Sequence, residues 1–320
     1  MTTATAAPHI GLFDSGIGGL SVLRALRRQL PTARCSYIAD TAYTPWGDRP
    51  ADWVVARCAQ LSAWLIEQPG DDSADLVLVA CNTATTQAIA ALRLRWPGVP
   101  FVGIEPGIKP AVAASHKRRV AVLATSGTLG SARLRQLVDH HADGTRLLQL
   151  PCPGLAEAIE RAAGRSGAAD GLDDKPDEDA AALAAQLDTI AATLRDADVD
   201  TVVLGCTHYP LVADALQQRL GPTVQLIDTA DAVVRRVVSL LPAGNAGRQA
   251  GPDGSGSGGS GSNGGSNGGG PLRLLATGDT ATLQRAAQRW LATGLVVERL
   301  ALPPPVEATN SKASDRAPRA

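Results

Sequence analysis

Two stretches of this chain repeat one pattern. Val79-Ala80-Cys81-Asn82-Thr83-Ala84-Thr85 closes one apolar run, and Leu204-Gly205-Cys206-Thr207-His208-Tyr209-Pro210 closes another. Each sets a cysteine just past a strand-like segment, then a polar residue, then the expected start of a helix. In a parallel α/β sheet this is the carboxyl edge of a strand, where ligands bind. A thiol on each of two related turns fits a symmetric task, such as moving a proton on and off opposite faces of one carbon.

The flanking pattern carries the repeat further. Ile10–Phe13 reads as a strand, Asp14–Gly19 as its turn, and Leu20, Leu23, Leu26 and Leu30 recur at helical spacing. A strand at 36–39, a loop over 40–50 and a helix over 51–68 follow. The unbroken apolar run 75–80 is what a strand covered on both faces requires. A helix over 85–96 and a strand over 99–103 complete the set. Near Arg119 the order restarts: strand 120–124, the turn Thr125–Thr128, a helix from Ser131, a strand at 147–150, helices over 155–162 and 180–195, and the strand 201–204 that delivers Cys206. Alternating strands and helices predict two doubly wound parallel α/β domains. A pseudo-twofold between them brings both cysteine loops to one cleft.

At 320 residues the chain suits two domains. The expected division is 8–103 with 225–300 as the first and 104–224 as the second. The run 251–270, almost wholly Gly, Ser and Asn, is a flexible insertion by composition. Residues 164–179 read as a Gly/Asp-rich surface insertion, and 301–320 as a loose tail. A strand at 272–277 and a helix over 281–291 show that the insertion interrupts the fold.

Thirty basic and thirty-one acidic residues give no electrostatic case for nucleic acid or an anionic membrane, so a small molecule is the expected partner. No apolar run approaches the roughly 20 residues of a membrane span. The first residues lack the pattern of a secretory signal. Five cysteines, an odd number in a long chain, argue against a disulfide framework and for a reducing cytoplasm.

Free cysteine often only fills space, and Cys35, Cys58 and Cys152 are read that way. Cys81 and Cys206 differ, because each is followed by polar residues with no reason to enter a core. Helix N-terminal amides tune such thiols toward the thiolate. Without a CxxC pair, and with only Cys206 and His208 adjacent, no metal site is expected. Asp14 ends the first strand and is read either as a cleft carboxylate or as a turn residue. His208, two residues past Cys206, is a candidate acid or base. Asn82, Thr83 and Thr207 offer polar groups to a carboxylate or ammonium. Trp46-Gly47 marks a turn whose backbone meets a ligand or is simply a turn. Glu160 lies on a short amphipathic helix, where pattern alone puts it on the surface.

These residues carry a resemblance. The chain resembles the glutamate racemases of the aspartate/glutamate racemase superfamily, through Asp14–Gly19 (Asp-Ser-Gly-x-Gly-Gly), Cys81–Ala84 (Cys-Asn-Thr-Ala) and Gly205–Pro210 (Gly-Cys-Thr-His-Tyr-Pro). The likeness spans about 10–241 and resumes over 272–291. It implies a cofactor-independent reaction in which Cys81 and Cys206 act on opposite faces of the glutamate Cα. Asp14 is then the helper beside Cys81, and His208 and Glu160 are the helpers beside Cys206. Asp14, Ser15, Trp46, Gly47, Asn82, Thr83, Thr207 and His208 hold the substrate. It also implies supply of D-glutamate to the bacterial cell wall, and a homodimer is common in such a family. The usual Pro-Tyr-Gly is here Pro45-Trp46-Gly47. Other readings are a racemase for aspartate or a hydantoin, a non-catalytic amino-acid-binding protein, and a one-cysteine decarboxylase or isomerase on the same fold.

Overall fold

The apolar runs become strands in two parallel sheets. The computed structural model describes residues 7–142, 144–164, 178–241 and 269–305. The described strands are β1 (His9–Asp14), β2 (Arg34–Ala39), β3 (Leu76–Val79), β4 (Phe101–Gly103), β5 (Arg119–Ala124), β6 (Arg146–Pro151), β7 (Thr201–Leu204), β8 (Gln225–Ile227), β9 (Leu272–Ala276) and β10 (Val297–Arg299). One sheet runs β10-β9-β2-β1-β3-β4 and the other β6-β5-β7-β8, with parallel pairing in both.

Read from its other edge, the second sheet is β8-β7-β5-β6, which repeats β4-β3-β1-β2 strand for strand. Cys81 and Cys206 therefore follow equivalent strands, β3 and β7. The repeat read from sequence is thus present as topology.

Successive side chains of a strand point to opposite faces, so a strand buried on both sides is apolar throughout. In β3, Leu76 and Leu78 join one core cluster while Val77 and Val79 join the other. In β7, Val202 and Leu204 face one cluster and Val203 the other. Helices cover these faces. Leu20–Gln29 buries Leu20, Val22, Leu23 and Leu26 and ends on Arg27 and Arg28, which suit the negative end of its dipole.

Four expectations need correction. Gln225–Ile227 pairs with β7, so the chain leaves the second sheet after Ile227 and not at residue 225. The following helix, Ala230–Leu240, buries Val233, Val234 and Val237 in the first domain's core. No helix begins directly after Cys206. A 3-10 turn, Tyr209–Val212, comes first and the helix Ala213–Leu220 follows, because Pro210 supplies no N–H and disfavours helical backbone at Tyr209. The segment after β4, given no element from sequence, holds the helix Ile108–Ala114. Finally, the tail does not loosen at residue 301. Leu302 packs on the first domain's core, and the Pro303 carbonyl accepts from Arg57 Nη1 at 2.8 Å. Residues 251–268 of the expected insertion, 165–177 of the other and 306–320 of the tail lie outside the described residues.

Candidate active site

The site is assembled from strand ends of both sheets. Phe13 and Val79 bring Asp14 and Cys81 to one edge by the β1–β3 register, and Leu204 brings Cys206 to the matching edge of the second sheet. Ser15, Trp46, Gly47, Cys81, Asn82, Thr83, Thr125, Cys206, Thr207 and His208 line one small cavity between the domains. Asp14 and Glu160 stand behind this lining, through Thr207 and His208 respectively.

Cys81 is the N-cap of the helix Asn82–Arg95, and its sulfur accepts the Ala84 N–H at 3.5 Å. It also lies 3.8 Å from Ser15 Oγ. A helix N-terminus favours a thiolate, but the thiol is fully enclosed. Burial dominates, the neighbouring Asp14 carboxylate adds to it, and the thiol is held well above its ordinary pKa.

Asp14 has no solvent exposure. Its Oδ1 accepts the Ser15 N–H at 2.7 Å, and its Oδ2 accepts the Gly19 N–H at 2.5 Å and the Thr207 hydroxyl at 3.1 Å. Burial still lifts its pKa to about 6, against the pull of His208 and of those two amides.

On the other side His208 Nδ1 lies 3.7 Å from Cys206 Sγ, and Nε2 lies 2.7 Å from Glu160 Oε1. Burial opposes an imidazolium here. The contacts with Cys206 and Glu160 outweigh it and hold the His208 pKa well above the usual histidine value. Glu160, placed on the surface by pattern, is buried on the helix Leu155–Gly164 and faces the cleft.

Both polar atoms of the Asn82 side chain are buried with no protein partner, at the cavity wall. Such atoms carry an unmet hydrogen-bond demand that a polar ligand can satisfy. Thr83 Oγ1 meets Thr125 Oγ1 across the cleft at 3.0 Å. Trp46 lines the cavity wall while its indole N–H donates to Asp40 Oδ2 at 3.2 Å. Among the described residues no group of three or more His, Cys, Asp or Glu is placed to hold a metal ion.

One residue lining the cleft and one buried behind it escaped the sequence reading. Thr125 follows β5 as Ser15 follows β1, so the repeat itself was the signal for it. Tyr37, inside β2, reads as an ordinary core aromatic and gives no signal.

Two matching parallel α/β halves, each closing on the cavity with a strand-end thiol, define a two-domain α/β protein with its site between repeated sheets. The chain belongs to the Asp/Glu/Hydantoin racemase family, whose model matches residues 18–237. Over 240 residues it is 41% identical to the glutamate racemase of Pseudomonas aeruginosa, across 75% of this chain and 84% of that one. The crystal structure of a glutamate racemase isoform from Bacillus anthracis superposes with a TM-score of 0.72 at 27% identity, covering 94% of this chain and 100% of that one. Escherichia coli glutamate racemase, solved with L-glutamate and the activator UDP-MurNAc-ala, matches with a TM-score of 0.69 at 27% identity, covering 92% and 98%. The resemblance carried by Cys81–Ala84 and Gly205–Pro210 therefore holds, as does the two-sheet α/β fold expected from the alternation of strands and helices.

Proposed function

We propose that this chain interconverts L- and D-glutamate by proton transfer at Cα between Cys81 and Cys206, without a cofactor. The observation that carries the reading is the pair of thiols, one from each half of a repeated sheet, on the walls of one cavity. The names of the relatives support glutamate as substrate.

One thiolate removes the Cα proton, and the opposite thiol gives its own proton to the other face. The C–H bond broken on one side is replaced on the other, and the two sulfurs exchange protonation states. Burial keeps the Cys81 thiol neutral at rest, which suits it as a donor. His208, held protonated, supplies the counter-charge that a thiolate at Cys206 needs. The Asp14 carboxylate suits the substrate ammonium, whose positive charge stabilises a carbanion at Cα. Asn82, Thr83 and Thr207, with the amides of their turns, suit its carboxylates. The cavity is narrow, so substrate enters with the halves apart and reacts after they close, away from water. D-glutamate for the peptide part of the bacterial cell wall, made in the cytoplasm, is the role that follows.

The test is incubation with L-glutamate in D2O. Formation of D-glutamate with deuterium at Cα is expected. Turnover of D-aspartate in preference to D-glutamate would sink the substrate assignment, and binding without Cα exchange would sink the reaction.

A further inference from the structure

One hydrogen-bonded series crosses the cleft, starting at a residue outside it. Tyr37 on β2 has no solvent exposure, and its hydroxyl donates to the Gly16 carbonyl at 2.6 Å. The N–H of that same peptide unit, at Ile17, donates to Glu160 Oε1 at 2.7 Å. The same oxygen meets His208 Nε2 at 2.7 Å, and His208 Nδ1 faces Cys206 Sγ at 3.7 Å. The Gly16–Ile17 peptide is thus held at its carbonyl by one domain and donates from its nitrogen to the other.

Two further observations show that this approach is built. A β-carbon on Gly16 would stand 1.9 Å from Glu160 Oε1, and one on Gly18 would stand 2.6 Å from His208 Nδ1. Only glycine lets the turn come this close. Burial, with Asp14, Glu160 and Cys81 nearby, pushes the Tyr37 phenol well above its ordinary pKa, so it remains a neutral donor. A peptide accepting at one end and donating at the other is polarised, and each bond strengthens the next.

We propose that Tyr37 is a positioning residue for the Cys206–His208–Glu160 group, acting across the cleft through the Gly16–Ile17 peptide. The proposal rests on the racemase reading above. Glu160 gains the Ile17 N–H only where the two domains meet, so closure completes the support of His208. A thiol–imidazole pair is then aligned only around enclosed substrate, which limits proton loss to water.

The test is Tyr37→Phe, which keeps the ring and removes the hydroxyl. It should lower kcat about tenfold, less than the roughly 10²-fold that a 1 Å misplacement can cost, with KM changed less than about twofold. With Cα-deuterated L- and D-glutamate the isotope effect on kcat should rise more for one enantiomer, because one base is weakened and the other is not. In a Glu160→Gln background, Tyr37→Phe should cost nothing further, since both lie on one path. An unchanged kcat, or a loss that adds fully to that of Glu160→Gln, overturns the proposal. Gly16→Ala tests the series from the Glu160 side should Tyr37→Phe fold poorly, and full turnover there overturns it equally. If the unaltered chain does not racemise glutamate, it is the functional reading that fails.

Discussion

The Thr207 hydroxyl donates to Asp14 Oδ2 across the domain boundary at 3.1 Å. Asp14 ends β1 of the first sheet, and Thr207 follows Cys206 beyond β7 of the second. One bond thus ties the carboxylate beside Cys81 to the loop that carries the opposite thiol. Ser21 Oγ also stands 3.2 Å from the Thr207 carbonyl, its one hydroxyl proton shared with the Gly18 carbonyl at 2.9 Å. The two thiols are held by one connected polar network, so disturbance on one side is expected to reach the other.

Cys81→Ser and Cys206→Ser should each lower racemisation about 10²–10⁴-fold in both directions, the range for loss of an acid–base group. Serine is close in size and leaves the packing intact, so the thermal midpoint should hold. Rates from pure L- and pure D-glutamate check this. Normal turnover by either variant removes the two-thiol scheme.

The value of kcat/KM should fall on the acid side below about pH 6. It reports the free enzyme, in which the Asp14 carboxyl is lifted to about 6. Above that pH the carboxylate can hold an ammonium, and below it the group is neutral and cannot. His208 titrates well above its ordinary value and stays protonated throughout this window, so it adds no acid limb there. Glu160→Gln should leave the limb in place. A profile flat to about pH 5 would show that Asp14 is not required in its charged form.

Thr83→Val should raise KM more than it lowers kcat. It removes the contact with Thr125 at 3.0 Å, a bond between the domains, while keeping side-chain volume. A net hydrogen bond of about 1 kcal/mol corresponds to about fivefold in affinity. Steady-state kinetics with both enantiomers measure it. An unchanged KM would show that the pair contributes nothing to closure.

Arg57→Met should destabilise the fold by about 3–5 kcal/mol, because it strands a buried charge. Arg57 and Asp40 are both fully buried and meet at 2.6 Å, with Thr277 and Trp46 also donating to Asp40. Adding Asp40→Asn should recover part of the loss. Urea unfolding of the single and double variants decides it. A smaller loss in the single variant than in the double would show that the isolated carboxylate carries no penalty.

Much of the fold was legible because both sheets are covered. A strand covered on both faces must be apolar at every position, so β3 and β7 stand out as unbroken runs. β8 was misassigned because Gln225–Ile227 is short and at a sheet edge, and three residues carry no period. That Cys81 and Cys206 follow equivalent strand ends was legible from local order alone. Glu160 was not. Its helix is amphipathic, and the face it presents is covered by a turn 143 residues away in the chain.

By itself the sequence determined eight of the ten described strands, that their order repeats, and that a thiol ends the equivalent strand of each half, since backbone period and strand-end chemistry are local properties. Only the tertiary structure decided that the halves confront each other, that Glu160 is inside, and that Tyr37 touches the same polar network. Burial and hydrogen bonding between distant segments depend on three-dimensional approach, and no spacing along the chain encodes it.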